Sequence, residues 1–264
     1  VVRTYALLIW TWTRSAAAYP ASFALAAVFT TVTAAVDLGV ILVVFANTTA
    51  LAGFSRDEVL FLYGAASLAF CVTDLLIGNI DRVSGHIRAG TLDVVLIRPA
   101  AAWVQLAADR FVPARIGRVL QAAAVLGHSV AVIGPDWRRA WMIPVMLATG
   151  IVIFAALWTL AGALQFLLTD APEVVNSFTY GGQQLTQYPL SVYGRDLVRG
   201  VTYVLPLAFV NWQPGLYVLG RPDPCGTPEF TRFLGPAAAL LLSLLAALAW
   251  RQGIRHYRST GSQG

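Results

Sequence analysis

Long apolar runs separated by short polar breaks set the architecture of this chain. Runs at about 22–46, 59–80, 117–133, 140–168 and 233–250 carry almost no charge. A bilayer's hydrocarbon is about 30 Å thick and takes about 20 helical residues to cross. Ser22–Ala46, interrupted only by Asp37, and Phe233–Trp250, with no charge, each suffice. The third run is long enough only if Phe111–Ile116 supplies its first turns, with Arg115 and Arg118 snorkelling toward headgroups. The pattern predicts an all-α, multi-pass membrane protein.

Ahead of the first run, Val1–Tyr19 reads as an amphipathic interfacial segment. Trp10, Trp12 and Tyr19 are its ring anchors, and Arg3 and Arg14 face headgroups. An early extension of the first span is the alternative. Trp10, Trp12 and Arg14 stand where a cleavable signal peptide would continue its apolar core, so the segment is expected to be retained.

The fourth run ends at Thr169-Asp170-Ala171-Pro172, an expected tight turn, and there the pattern becomes ambiguous. Glu173–Pro189 is rich in Asn, Ser, Thr and Gln, yet polar residues at membrane depth are tolerable when they face a bundle interior or a cavity. In one solution this segment crosses, and Leu197–Leu219, bent at Pro206 and Pro214, is an external excursion. In the other, Glu173–Arg199 lies at the inner face and Gly200–Tyr217 is the fifth span. Parity favours the first, because both the turn near 170 and the tail after 251 belong on the same side. Asp223–Pro228 has the turn composition of a compact external loop.

Composition sharpens the picture. The chain is 58% hydrophobic and 12% charged, against about 25% charged in an ordinary soluble domain. All 18 basic residues are arginine. Six of them fall between Asp81 and Arg118 against three aspartates, and Arg251, Arg255 and Arg258 follow the last run. The positive-inside rule puts both regions in the cytoplasm; Arg138 and Arg139 in the short loop 134–139 are a small vote the other way.

Little in the chain suggests catalysis. There is no nucleophile elbow, HExxH or fixed carboxylate pair, and no basic, aromatic-laced domain for nucleic acid. Tyr180-Gly181-Gly182-Gln183 lacks the Lys-Ser/Thr ending of a phosphate loop, and a chain without lysine supplies no Walker-type site of its own. Cys71 and Cys225 sit in different segments, and His86, His128 and His256 are scattered, so neither a disulfide nor a metal centre is expected. Asp37 and Asp74 lie inside apolar runs, where an ionised carboxylate is costly. Interhelical packing or a dimer-interface hydrogen bond is the plainer reading for both, and a place on a transport pathway the alternative.

Two polar stretches stand out. In Ser84–Pro99, Gly90 can end a turn, Thr91 or Asp93 can cap a short helix carrying Leu92, Val95 and Leu96, and Arg88 can pair with carboxylates. This reads as a docking surface, with an interfacial anchor as the alternative. Asn176, Tyr180, Gln183, Gln184 and Gln187 recur at three- and four-residue steps on one helical flank. They are candidates for lining a cargo route bordered by Phe178, Tyr188 and Trp212, or for holding helices together.

Ile87-Arg88-Ala89-Gly90-Thr91-Leu92-Asp93, continuing to Leu96-Ile97-Arg98-Pro99, together with Tyr188–Tyr193, Tyr203–Phe209 and Trp212-Gln213-Pro214, resembles the permease subunits of the ABC-2 exporter superfamily, specifically the ABC-2 family transporter proteins of bacteria. The likeness covers essentially the whole chain. It implies one six-transmembrane-helix permease domain over 1–264: an N-terminal interfacial helix (1–20), a cytoplasmic coupling region (81–110), external re-entrant helices (190–230) and a cytoplasmic tail (251–264), with both termini cytoplasmic. Gly194 departs from the proline frequent in relatives after the tyrosine, leaving the bend there less defined.

The same resemblance implies a coupling helix seated in a cleft of a separate ATPase. His86, Arg88, Gly90, Leu92, Asp93, Leu96 and Arg98 are then the coupling residues, and Asn176, Tyr180, Gln183, Gln184, Gln187 and Tyr188 the candidate route. It further implies two ATPase subunits that carry the ATP and Mg, a second permease chain, identical or related, surrounding membrane lipids, no cofactor on this chain, and a bacterial plasma membrane. The expected role is the transmembrane subunit of an exporter for a small or amphipathic substrate. A non-transporting scaffold docking a cytoplasmic partner, and a channel, are the alternatives.

Overall fold

The computed structural model describes residues 2–167 and 172–257, apart from the side chains of residues 2, 172–176 and 178. Its helices are α1 (Val2–Ala17), α2 (Pro20–Asn47), α3 (Arg56–Ile77), α4 (Val83–Arg88), α5 (Leu92–Ile97), α6 (Ala102–Ala107), α7 (Ile116–Ile133), α8 (Trp137–Ala140), α9 (Met142–Leu164), α10 (Pro172–Thr186), α11 (Arg195–Tyr203), α12 (Trp212–Leu219) and α13 (Gly235–His256). Among the described residues, five helical stretches are long and apolar enough to cross a membrane: Pro20–Asn47, Arg56–Arg88, Pro113–Ile133, Trp137–Leu164 and Gly235–His256. They coincide with the five apolar runs. The Asp170 turn lies outside the described residues.

Helix α3 is the hub, and it begins with a capping box. The Ser55 backbone N–H donates to Glu58 at 2.8 Å, while the Glu58 N–H reaches the Ser55 hydroxyl, satisfying donors that would otherwise be orphaned. Its Gly64-Ala65-Ala66 stretch lets neighbours approach closely. A Cβ on Gly64 would lie 2.8 Å from the backbone nitrogen of Leu126 on α7, the small-residue packing that helices use where lipid removes the usual hydrophobic drive. Phe70 packs on Trp158 and Phe154 of α9, with ring centroids 4.8 and 5.3 Å apart.

Contacts fix the helix directions. Along α3 and the 3-10 turn that follows it, Ala69 faces Gly150 and Ile80 faces Gly162 of α9; along α13, Gly235 faces Thr149 and Gly253 faces Ala163. These three helices therefore run parallel. Helix α7 is antiparallel to them, since Leu126 meets Gly64 and Arg118 reaches Asp74. Helix α2 runs with α7, because Thr30 donates to the Ala114 carbonyl and Asp37 lies beside Gln121. Helix α10 packs against α3 and α9. Its Tyr180 hydroxyl meets Asp81 at 3.4 Å, and its Thr186 carbonyl accepts from Asn211, which also donates to Leu62 near the start of α3. It thus runs opposite to α3.

No continuous helix runs through 200–217. Helices α11 and α12, of 9 and 8 residues, are separated by an irregular stretch holding Pro206 and the 3-10 turn Leu207–Phe209. This region sits at the end of the bundle that carries Ser55. Arg221, just past α12, forms a bidentate pair with Glu58, both contacts at 2.8 Å, and donates to the Gly53 carbonyl. Gln213 joins Asp223 and Thr227 there, each at 2.9 Å. Arg138 and Arg139 lie at this end too, Arg139 beside Tyr217. At the opposite end, α1 is tied to the last turn of α3 by the Tyr5 hydroxyl, which donates to the Leu76 carbonyl.

Candidate functional site

The segment between α3 and α7 is held together by contacts distant in sequence. The chain turns after α4 at Gly90, whose φ of +65° is in the left-handed region that favours glycine. His86 spans the turn: Nδ1 lies 2.9 Å from the Thr91 hydroxyl and Nε2 lies 3.2 Å from Asp109. That hydrogen bond holds the Asp109 carboxyl below the usual carboxylate range, with Arg110 and Arg82 adding to it and burial opposing. Gln105 donates to the carbonyls of Val95 and Ala100 at 2.9 and 2.8 Å, stapling α5 to α6.

The coupling candidates divide between interior and surface. Leu92 and Val95 are buried and belong to the local core. Asp93 is half-buried and faces Tyr257 beyond α13. Exposed on α5 are Val94, Leu96 and Ile97, the last at 82%, flanked by exposed Arg88 and Arg98. The projecting apolar edge is therefore Val94, Leu96 and Ile97, because Leu92 turns inward beneath it.

This segment is clamped to the spanning helices. Gln165, wholly buried just after α9, donates to the Asp81 carbonyl at 2.7 Å and accepts from the Ser84 N–H at 2.7 Å. Asp74 on α3, its side chain only 4% exposed, takes Arg115 at 3.3 Å and Arg118 at 3.5 Å, and the Arg115 guanidinium also donates to the Asp74 carbonyl at 2.9 Å. The snorkelling expected of Arg115 and Arg118 is not what is found. A buried carboxylate needs counter-charge, and these two arginines turn inward to supply it.

The route candidates also divide. Gln183 and Gln187 are buried and meet Asp37 of α2, Tyr63 of α3, and Arg118 and Gln121 of α7 around a cavity of about 10 Å³, which is at the lower limit for one water. Tyr180 stacks edge-on to Phe70 and Trp158, with centroids at 5.8 and 6.2 Å. Gln184 faces outward and Tyr188 is half-buried. The side chains of Asn176 and Phe178 lie outside the described set. Trp212 is buried against Phe54.

Asp109, Gln165 and the Arg115–Asp74–Arg118 cluster escaped sequence reasoning. For the cluster alone there was a signal: an aspartate inside an apolar run requires a cation, and the start of the third run offers two. Cys71 is buried, Cys225 is half-buried and both are free thiols. Among the described residues, no group of three or more His, Cys, Asp or Glu could hold a metal ion.

The described residues form a multi-pass helical membrane bundle with a buried polar seam and a clamped loop between spans. The chain belongs to the ABC-2 family transporter proteins, whose family model matches residues 31–261. No curated protein and no solved structure gives a significant match.

Proposed function

We propose that this chain is the transmembrane subunit of an ATP-driven exporter, paired with a second permease chain and served by two separate ATPase subunits that bind the ATP and Mg. The observation that carries the reading is the projecting α4–α5 edge. Ile97, Leu96 and Val94 offer an apolar knob to a protein cleft, and Arg88 and Arg98 offer directional ion pairs beside it. An edge this apolar in the aqueous phase is best explained by a partner that covers it.

Six crossings account for the helix directions. Helices α2, α7 and α10 run outward and α3, α9 and α13 inward, which puts α1, the α4–α6 segment and the end of α13 in the cytoplasm of a bacterial plasma membrane. The arginine-rich stretches then lie inside, and α11 and α12 form an external re-entrant element. Closure of the ATPases on nucleotide would pull on α4–α5. Because Gln165 ties that junction to α9 and Asp74 ties α3 to α7, the pull reaches three spans as one body, rocking the chain against its partner permease. Gln183, Gln187, Gln121 and Asp37 are the polar groups this movement would expose to a small or amphipathic cargo; the cavity among them holds no space for one when closed.

The test is copurification with an ATPase carrying Walker motifs, followed by ATP hydrolysis measured with and without this chain. Stimulated hydrolysis supports the exporter. A purified pair that neither hydrolyses ATP nor moves cargo leaves a scaffold in its place.

A further inference from the structure

We infer that the groove between α1 and the α3–α4 junction binds the phosphate of an anionic phospholipid. The groove has a volume of about 750 Å³, and its walls include Trp12, Arg82, Arg88 and Arg110. Two carboxylates, Asp81 and Asp109, also face it and offset part of its positive charge. Asp109 is committed to His86 at 3.2 Å, and one Asp81 oxygen meets Tyr180 at 3.4 Å. None of the described ion pairs includes Arg82, Arg88 or Arg110. Three guanidiniums thus face two carboxylates in one cavity, an excess of positive charge that an entering anion would balance.

Two further observations select the anion's source. Arg110 holds a φ of +49°, a left-handed conformation that is strained for a non-glycine residue, and it lines the groove. Trp12, on amphipathic α1, is the kind of ring that settles at headgroup depth, and α1 is fastened to the end of α3 through Tyr5. A phosphate between Arg82 and Arg110 with its acyl chains beside α1 satisfies both, and it would bridge the interfacial helix to the segment that carries α4. Arg88 sits where the same segment turns toward α5.

The experiment needs no ATPase, so its outcome is independent of the exporter reading. The full chain is delipidated in detergent, mixed with equal amounts of phosphatidylglycerol and phosphatidylcholine, and read by native mass spectrometry. The expected result is selective retention of phosphatidylglycerol. Affinity should fall by roughly 30-fold in the double variant Arg82→Gln, Arg110→Gln, survive in Arg82→Lys, Arg110→Lys, and stay unchanged in Arg251→Gln, Arg255→Gln. Equal retention of phosphatidylcholine by the wild-type chain overturns the proposal whether or not any variant folds. So does undiminished phosphatidylglycerol in the glutamine variant. Full displacement by millimolar inorganic phosphate assigns the groove to a soluble anion and overturns the lipid.

Discussion

Replacing Asp74 by alanine strands Arg115 and Arg118 beside a buried seam with no counter-charge, and the cost can be worked from their geometry. Removing one partner of a buried ion pair typically costs about 3–5 kcal/mol. Here the guanidinium side chains keep 16% and 21% exposure, so water at their tips reduces the expected loss to about 2–3 kcal/mol. The same substitution frees α3 from the start of α7, because the 3.3 Å contact to Arg115 just before α7 and the 3.5 Å contact to Arg118 on it are charged links between them. Unfolding by a denaturing detergent in mixed micelles, followed by helical circular dichroism, reads the difference. Asp74→Asn should also destabilise, since it keeps the shape and removes the charge. A triple change to Asp74→Met, Arg115→Met, Arg118→Leu should recover most of the loss, as apolar replacements of whole buried ion clusters do. A loss under about 0.5 kcal/mol for Asp74→Ala would refute the view that this cluster joins the two helices.

Three other outcomes follow from the same contacts. Arg221→Ala removes a bidentate pair whose arginine is 40% exposed, so it should cost about 1 kcal/mol in the same unfolding assay; no change would mean that the α12 end is not anchored through Glu58. The His86–Asp109 pair fixes the sign of a pH effect: the Asp109 carboxyl is held low by its hydrogen bond to His86, so the unfolded chain takes up the proton first. Its contribution is full above the ordinary carboxylate value of about 3.9 and fades as pH falls through the lowered folded value. The Tm advantage of the wild type over Asp109→Asn should therefore be present at neutral pH and close on acidification; an advantage that widens contradicts the assignment. Finally, Arg195→Cys in a background with Cys71→Ala and Cys225→Ala should label from outside the cell, since Arg195 lies near Cys225 beyond α10. Exclusive cytoplasmic labelling would remove α10 as a crossing.

The five apolar spans were legible because crossing a bilayer demands about 20 apolar residues, a requirement written locally in the chain. Helix α10 was not legible in this way. Its 15 residues are too polar for such a pattern, and what holds them is remote: Tyr180 reaches Asp81 and Thr186 reaches Asn211. Gly90 could be read as a turn because its backbone demand is local. The exposed face of α5 could not, since 6 residues make fewer than two helical turns and carry too little periodicity to say which side is covered. Arg115 and Arg118 show the same limit from the other direction. Their position at a span's start suggests headgroups, and only the folded proximity of Asp74 turns them inward.

The central claim, that α4–α5 is the lever by which an ATPase drives this permease, is tested most directly by crosslinking from Ile97. A photoreactive residue at position 97, in inside-out vesicles containing the whole complex, should capture an ATPase subunit with Walker motifs, and the yield should change when nucleotide is added. A residue 97 that crosslinks no ATPase, or that reacts with an impermeant reagent applied only from the external face, would contradict the account.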